Sequence, residues 1–283
     1  MITHRILRAS LVLLSASAAT PASAQVVGVN AAVVNDVRVA MRADAAQRPA
    51  QVKERVALGN AIQTGRSSAL QVLLLDRTNF QVGANARITI DKFVYDPNRS
   101  ASAVGLSVAK GAFRFMSGKP LRASPGQSAI RTPVASIGIR GTIVEGVVGA
   151  DAVSIAGAEA GVPTVAGADP ATASLILLRG PGTGAQGQTP GAIDVTAGGR
   201  TVAVETIGFA VFVAGPNKPP VGPFLLSDSG LARLAALLSD PRRRRQASDS
   251  PLTQNPVVDF FFERSRSQSS DPSQPSQPTQ PRI

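Results

Sequence analysis

Short apolar runs separated by turn-forming residues limit most strongly what this chain can fold into. Residues 69–75 form one such run, and Lys110-Gly111 reads as a turn between two others, at 106–108 and 112–115. The runs recur at intervals of roughly 8–12 residues, as in proteins built from many short strands. β-Branched residues at alternate positions fit a half-buried sheet, and strands do not alternate with long helices. The sequence therefore predicts an all-β fold, with many short strands in a sandwich or in a β-roll or solenoid-like body.

Strand-like runs continue in the second half of the chain. Residues 175–178 are apolar throughout, and residues 193–204 have the pattern of a hairpin whose loop is a glycine pair. Loops rich in glycine and alanine interrupt this half. We therefore expect an all-β domain over residues 25–150 and a second β block over residues 151–226.

One short helix is predicted near the C-terminus, over residues 227–239. Ser227 or one of its next two neighbours can cap its start, and leucines spaced three or four apart line one face. Arg, Ser, Gln and Pro dominate beyond it, so residues 240–283 are predicted to be a disordered tail. Residues 257–262 (V-V-D-F-F-F) are an apolar island in this tail. They either dock back on the β body or bind a partner.

The first 24 residues have the three regions of an export signal. Arg5 and Arg8 supply positive charge, a short apolar run follows, and a small-x-small site predicts cleavage between Ala24 and Gln25. The apolar run is too short to span a bilayer, which requires roughly 20 residues. We therefore expect a mature chain with no transmembrane segment, located in the periplasm or secreted.

Histidine and cysteine are almost absent. The chain has no cysteine, and its one histidine, His4, lies within the predicted signal. A mature chain without these residues has no Ser-His-Asp triad, no cysteine nucleophile and no His/Cys zinc site. We therefore expect no enzymatic activity, no catalytic or metal-binding residues and no cofactor.

The predicted body is mildly basic. Residues 25–239 carry twenty basic and thirteen acidic residues, which are mostly dispersed along the chain. One tyrosine and no tryptophan leave no aromatic surface on which nucleic-acid bases could stack. An exported basic protein more readily meets an envelope protein or an anionic glycan or lipid surface. These are the expected partners, and nucleic acid is not.

Two segments carry a family signature. Residues 132–142 read T-P-V-A-S-I-G-I-R-G-T, and residues 59–69 read G-N-A-I-Q-T-G-R-S-S-A. With the runs between them they resemble the FecR-type domain, over about residues 52–148. FecR-type regulators have a cytoplasmic anti-sigma segment, a transmembrane helix and a periplasmic domain that receives a signal from an outer-membrane transporter. The resemblance implies only the last part here, as a stand-alone exported domain without anti-sigma action.

One turn departs from the family pattern. Asp76-Arg77-Thr78 stands where many relatives have Asp-Gly-Ser or Asp-Gly-Thr. With arginine in place of glycine, this turn must avoid a positive φ or accept its cost.

The T-P-V-A-S-I-G-I-R-G-T segment contains the candidate residues for a partner-binding or structural motif. They are Thr132, Pro133, Gly138, Arg140, Gly141 and Thr142. Pro133 lacks an N–H donor, which predicts a strand start or a sheet edge. Ala135, Ile137 and Ile139 should share one face of a strand. Arg140 can fork two hydrogen bonds onto carbonyls or carboxylates, so it is either a structural clamp or a contact for an anionic ligand or partner.

These observations predict a non-enzymatic exported module that binds a protein or glycan partner in the cell envelope, in a sensory or regulatory role. Two alternatives stay open. One is a structural component of an envelope or surface assembly. The other is a carboxylate-based glycan hydrolase that uses Glu145, Asp151 or Glu159.

Overall fold

The computed structural model of the chain describes residues 24–98, 101–123, 126–180 and 191–239. Three predicted features lie outside the described residues. They are the export signal up to residue 23, most of the glycine-rich loop at 180–191, and the tail from residue 240 with its apolar island at 257–262.

The described residues contain seventeen strands and three helices. The strands are β1 (Val26–Val34), β2 (Val37–Ala40), β3 (Arg48–Pro49), β4 (Arg55–Ala57), β5 (Ala61–Thr64), β6 (Ala69–Leu74), β7 (Asn79–Val82), β8 (Arg87–Asp96), β9 (Ala101–Met116), β10 (Ser128–Arg131), β11 (Ser136–Arg140), β12 (Ile143–Val148), β13 (Ser174–Leu178), β14 (Ala192–Ala197), β15 (Arg200–Val204), β16 (Phe209–Val213) and β17 (Val221–Leu225). The helices are α1 (Lys119–Ala123), α2 (Ala150–Ala156) and α3 (Asp228–Leu238). The predicted all-β class is confirmed. Across the described ranges, no helix combines the length and the apolar character that crossing a bilayer requires.

The strands form two sheets. In sheet A the order is β4-β1-β6-β7-β9-β12-β13-β16-β17, and every neighbouring pair is antiparallel. In sheet B the order is β3-β2-β5-β8-β9-β10-β11-β14-β15, and only β9 and β10 run parallel. Strands on both sides of residue 150 share these sheets, since β13 pairs with β12 and β14 pairs with β11.

Strand β9 belongs to both sheets. Its residues up to Lys110 pair in sheet B, and its residues from Gly111 onwards pair in sheet A. The turn predicted at Lys110-Gly111 is therefore wrong, because the strand runs on through it. Gly111 has a φ of 83°, a value that glycine adopts at little cost, and the chain passes from one sheet to the other at this residue.

The two sheets share one hydrophobic core. Sheet A contributes Phe80, Phe113 and Phe115, and sheet B contributes Ile88 and Ile137, all almost fully buried. Buried and less buried residues alternate along β7 and along most of β8, as expected for strands with one inward face. The two layers therefore pack as a sandwich, with the core between their inner faces.

A second core lies on the outer face of sheet A. Helices α2 and α3 pack there against apolar residues of β9, β12, β13 and β16. Helix α3 begins as predicted, because Gly230 N donates a hydrogen bond of 3.1 Å to Ser227 Oγ. Its Leu234 and Leu238 are buried. Sequence patterns predict only this helix, because α1 and α2 are five and seven residues long and too short to show a helical repeat.

In the turn at Asp76-Arg77-Thr78, the arginine adopts a positive φ despite its strain. Arg77 has a φ of 65° and an exposed side chain. This conformation costs an L-residue about 1–2 kcal/mol. The turn therefore keeps the geometry that glycine would allow, although arginine occupies the position.

Replacing Arg77 with glycine is expected to stabilise the protein. The strain energy removed from the folded state should exceed the entropic cost of glycine's extra freedom in the unfolded chain. The expected net gain in the free energy of unfolding is about 0.5–1 kcal/mol. Urea unfolding followed by circular dichroism measures the change. Arg66→Gly is the matched control, because Arg66 is also exposed but is not among the positive-φ residues. It should lose about 0.5–1 kcal/mol, and a similar loss for Arg77→Gly would contradict the strain.

Candidate functional site

The T-P-V-A portion of the signature forms the turn between β10 and β11. Thr132 N donates to Ala135 O at 2.8 Å, and Thr132 Oγ1 accepts from Ala135 N at 3.0 Å. Ser174 Oγ donates to the same hydroxyl at 3.0 Å, which ties the turn to β13. Pro133 lies exposed within this turn rather than at the start of a strand. Thr132 and Pro133 therefore shape the hairpin.

The rest of the signature forms β11, near the middle of sheet B. Ile137 and Ile139 are buried in the shared core, and Ala135 is buried just before the strand, as the alternation predicts. Gly138 and Arg140 occupy the opposite, solvent-facing side of the strand. The candidate residues that remain accessible therefore lie on the outer face of sheet B.

Gly138 is part of a strip without large side chains. Strand pairing aligns Gly105 of β9 with Ala129 of β10, and Ala129 with Gly138 of β11. We call Gly105, Ala129 and Gly138 the sheet B strip. Lys92 is paired with one end of the strip and Asp194 with the other. The strip is thus a half-buried stretch of small residues that ends at a cation on one side and a carboxylate on the other.

A neighbouring row on the same face carries hydroxyls and an arginine. In register it contains Thr89, Ser107, Arg131, Ser136, Thr196 and Thr201. Ser107 Oγ donates to Asp91 Oδ2 at 2.5 Å, and the hydroxyls of Thr196 and Thr201 lie 2.8 Å apart. Arg131 is exposed and has no ion pair within the described part of the chain. The row offers hydrogen-bond donors and acceptors directly beside the strip.

Arg140 is held at the edge of this face by two carboxylates. Its Nη2 lies 3.2 Å from Asp194 Oδ1 and 3.5 Å from Glu205 Oε1. The arginine side chain is 40% exposed to solvent, and its Nε has no hydrogen-bond partner among the described residues. The arrangement is that of a clamp between β11, β14 and the end of β15, and it leaves part of the guanidinium open to solvent.

Gly141 and Thr142 lie where the chain leaves sheet B for β12 of sheet A. Gly141 has a φ of 62°, and a Cβ there would approach Arg122 Cα to 3.2 Å. Thr142 is fully buried, and its carbonyl accepts hydrogen bonds from the backbone and the hydroxyl of Ser117 at 3.2 and 3.1 Å. Both residues hold the corner between the two sheets.

The three carboxylates of the hydrolase alternative are held by different partners. Glu145 is buried on β12 and pairs with Arg114 at 2.7 Å and with Arg179 at 3.3 Å. Glu159 accepts hydrogen bonds from Ser227 N at 2.9 Å and from Ser227 Oγ at 2.8 Å, next to the start of α3. Asp151 is exposed in the first turn of α2. Glu145 and Glu159 thus have structural partners that account for their burial.

Two further observations concern acidic residues. Hydrogen bonds from the Thr172 hydroxyl and the Ala171 amide lower the pKa of Asp169, whereas a general acid at neutral pH needs a raised pKa. Within the described ranges, no group of three or more Asp, Glu, His or Cys side chains is arranged to hold a metal ion.

The signature motif points to Gly138 and Arg140 but not to the rest of the sheet B face. Gly105, Ala129 and Arg131 are separated from Gly138 along the chain and meet it only through strand pairing. One local signal was available, because a glycine inside an apolar strand pattern marks a bulge or a close backbone approach.

Comparison with known protein families matches residues 60–162 to the family described as FecR protein. The match includes all six candidate residues and confirms the resemblance. No curated protein matches the chain significantly. Among solved structures, a crystal structure from Parabacteroides distasonis ATCC 8503, described provisionally as an anti-sigma factor, matches with 13% sequence identity and a TM-score of 0.34. That match covers 56% of this chain and 57% of the other.

Proposed function

Residues 60–162 form a FecR-type domain, and from that premise we propose an exported, non-enzymatic module that binds a protein or glycan partner in the cell envelope. The binding surface is the outer face of sheet B, centred on the sheet B strip. The FecR match points to a regulatory or sensory role. Export rests on the signal pattern of the first 24 residues.

The main support for this binding surface is the absence of a side chain at Gly138. Gly138 lies half-buried in the middle of β11, and it is not among the glycines with positive φ. A Cβ built there would meet nothing closer than Asp194 Cβ at 3.8 Å, an ordinary contact. Glycine weakens a strand interior, so its presence without a steric reason supports close approach by another molecule.

The surroundings of the strip favour a polar partner. Lys92, Arg131 and Arg140 supply three cationic groups on this face, and the neighbouring row supplies hydroxyls. Arg140 is already fixed by Asp194 and Glu205, so its exposed edge loses little freedom on binding. A partner rich in hydroxyl, carboxylate or backbone groups would satisfy this surface.

Replacing Gly138 with valine is expected to abolish binding while preserving the fold. Valine suits the half-buried outer face of a strand, so stability should be unchanged or rise by up to about 1 kcal/mol. The side chain would stand in the strip and should lower recovery of the partner at least about tenfold. The measurement is crosslinking in intact cells with a reagent that does not cross the inner membrane, followed by recovery of the chain. Separate arms score protein adducts and envelope polysaccharide.

Ala31→Val is the matched control, because Ala31 is an exposed strand residue of sheet A. It should leave recovery of the partner unchanged. A chain that is never labelled by the impermeant reagent would contradict export. Labelling with the same adducts in wild type and Gly138→Val would remove the sheet B strip from the site.

A further inference from the structure

The outer face of sheet A is covered over only part of its width. Helices α2 and α3 bury the part formed by β12, β13 and β16. On the remaining part, Leu73, Leu75 and Met116 are 40%, 54% and 37% exposed, and Val29 is half-buried. We call Val29, Leu73, Leu75 and Met116 the bare patch. Three large apolar side chains exposed on one sheet face are more than scattered surface residues, and they mark a docking surface.

Strand pairing joins Val29, Leu73 and Met116 of the bare patch in one row. Val29 is paired with Leu73, Leu73 with Asn79, Asn79 with Met116, and Met116 with Ile143. The row therefore crosses β1, β6, β7, β9 and β12 at one level. Apart from Asn79, its members are apolar.

The rim of the bare patch is positively charged. Arg55 is paired with Val29 at one end of the row, and the Arg179 amide bonds the Ile143 carbonyl at the other. Arg114 precedes Met116 by two residues on the same face of β9. Glu145, the acidic partner of Arg114 and Arg179, is buried, with only 4% of its side chain exposed. An occupant with apolar side chains and flanking carboxylates would match this surface.

The chain leaves α3 directly beside the bare patch. Gln81 Nε2 donates to Leu238 O at 2.6 Å, and Ala84 N donates to Leu237 O at 3.2 Å. Gly83 admits this contact, because a Cβ there would lie 2.5 Å from Leu237 O. Gln81 is two residues from Asn79 along β7, a distance of about 7 Å. The last turn of α3 thus marks the border between the covered and the bare part of sheet A.

We propose that residues 257–262 of this same chain dock on the bare patch and complete the cover of sheet A. Residues 240–256 connect α3 to this segment and can span up to about 55–60 Å when extended, far more than the distance required. In an extended segment Val258, Phe260 and Phe262 share one face and meet the patch. Asp259 and Glu263 lie on the other face of such a segment, so the long arginine side chains of the rim reach around its edge to pair with them.

This inference concerns the face of the molecule opposite to the proposed partner site. The bare patch lies on sheet A, whereas the sheet B strip lies on sheet B, so either proposal can fail without the other. Docking of residues 257–262 would cover the apolar surface of sheet A, and the polar outer face of sheet B would stay accessible to a partner.

Methionine oxidation tests the docking on the full exported chain. The chain has three methionines, and two of them, Met41 and Met116, lie in the described structure. Met41 lies beside β2 of sheet B with 69% exposure and serves as an internal control. The probe is dilute hydrogen peroxide, with oxidation of each methionine followed by peptide mass spectrometry. The combined change Val258→Asp, Phe260→Asp and Phe262→Asp should speed Met116 oxidation about fivefold or more and leave Met41 unchanged. A Met116 rate that rises less than about twofold would overturn the docking.

A cysteine pair provides the second measurement, because the chain has no native cysteine. Leu73→Cys with Phe260→Cys should form an intramolecular disulfide at least about tenfold faster than Val94→Cys with Phe260→Cys, where the tether alone brings the thiols together. Val94 is the matched control, since it is 53% exposed on β8 of sheet B. Equal rates for the two pairs, or disulfides that form only between two chains, would overturn the proposal.

Discussion

Replacing Asp76 with alanine is expected to lower the free energy of unfolding by about 3–5 kcal/mol. Asp76 is fully buried and accepts three hydrogen bonds. Its Oδ1 accepts from Thr78 N at 2.9 Å, and its Oδ2 accepts from Thr78 Oγ1 at 2.9 Å and from Ser102 Oγ at 2.6 Å. Thr78 Oγ1 in turn accepts from Gly118 N at 3.1 Å. The Asp76 carboxylate therefore joins the β6–β7 turn to the start of β9, and Thr78 links it to Gly118 just after the end of β9.

Alanine would leave these donors buried without a partner. Each such group costs about 1–3 kcal/mol, and donors to a charged acceptor are at the upper end of that range. Urea unfolding followed by circular dichroism measures the change. Asp44→Ala is the control, since the Asp44 side chain is 74% exposed and pairs only with Arg42. It should change stability by less than about 0.5 kcal/mol. A loss for Asp76→Ala as small as that of the control would show that the hydrogen-bond network is not required.

Replacing Gly111 with alanine is the second substitution with a large expected effect, a loss of about 2–5 kcal/mol. Two costs add up at this residue. The φ of 83° is strained for an L-residue. A Cβ would also lie 2.6 Å from Ala86 Cβ and 2.7 Å from Ala86 N, and Ala86 is buried in the shared core. Because β9 changes sheets at this position, the surrounding strands have little room to adjust.

Gly199→Ala separates the two costs. Gly199 has a similar φ of 74° in the β14–β15 hairpin, but a Cβ there would meet nothing within 4 Å. Its free energy of unfolding should therefore fall only by the cost of the positive φ, about 1–2 kcal/mol. Thermal unfolding of both variants provides the comparison. If the two variants lose the same stability, close packing at the sheet crossing contributes nothing beyond the backbone conformation.

Local patterns in the sequence predicted the local features of the fold. The glycine pair at Gly198-Gly199 predicted the hairpin that joins β14 and β15. Ser227 and the following leucines predicted helix α3 and its buried face. The inward face of β11 followed from the alternation of Ile137 and Ile139. These features depend on residues within a few positions of one another, so a short window of sequence contains the information.

The Lys110-Gly111 pair shows where a local pattern is insufficient. Glycine after a polar residue reads equally well as a turn or as a bend within a strand, because both use its positive φ. The choice between them depends on which strands lie on either side of Gly111, and those strands are distant in sequence. The same holds for the sheet B strip, whose members Gly105, Ala129 and Gly138 are brought together by pairing alone.

By itself, the sequence determined that this is an all-β chain with a FecR-type signature and with one capped helix near its end. The tertiary structure alone decided that β9 joins the two sheets, that Gly138 has open space around it, and that α3 stops at the border of an uncovered apolar face. The reason is physical. Alternation and capping are set by neighbouring residues, whereas a surface is set by strand register and packing between segments that are far apart along the chain.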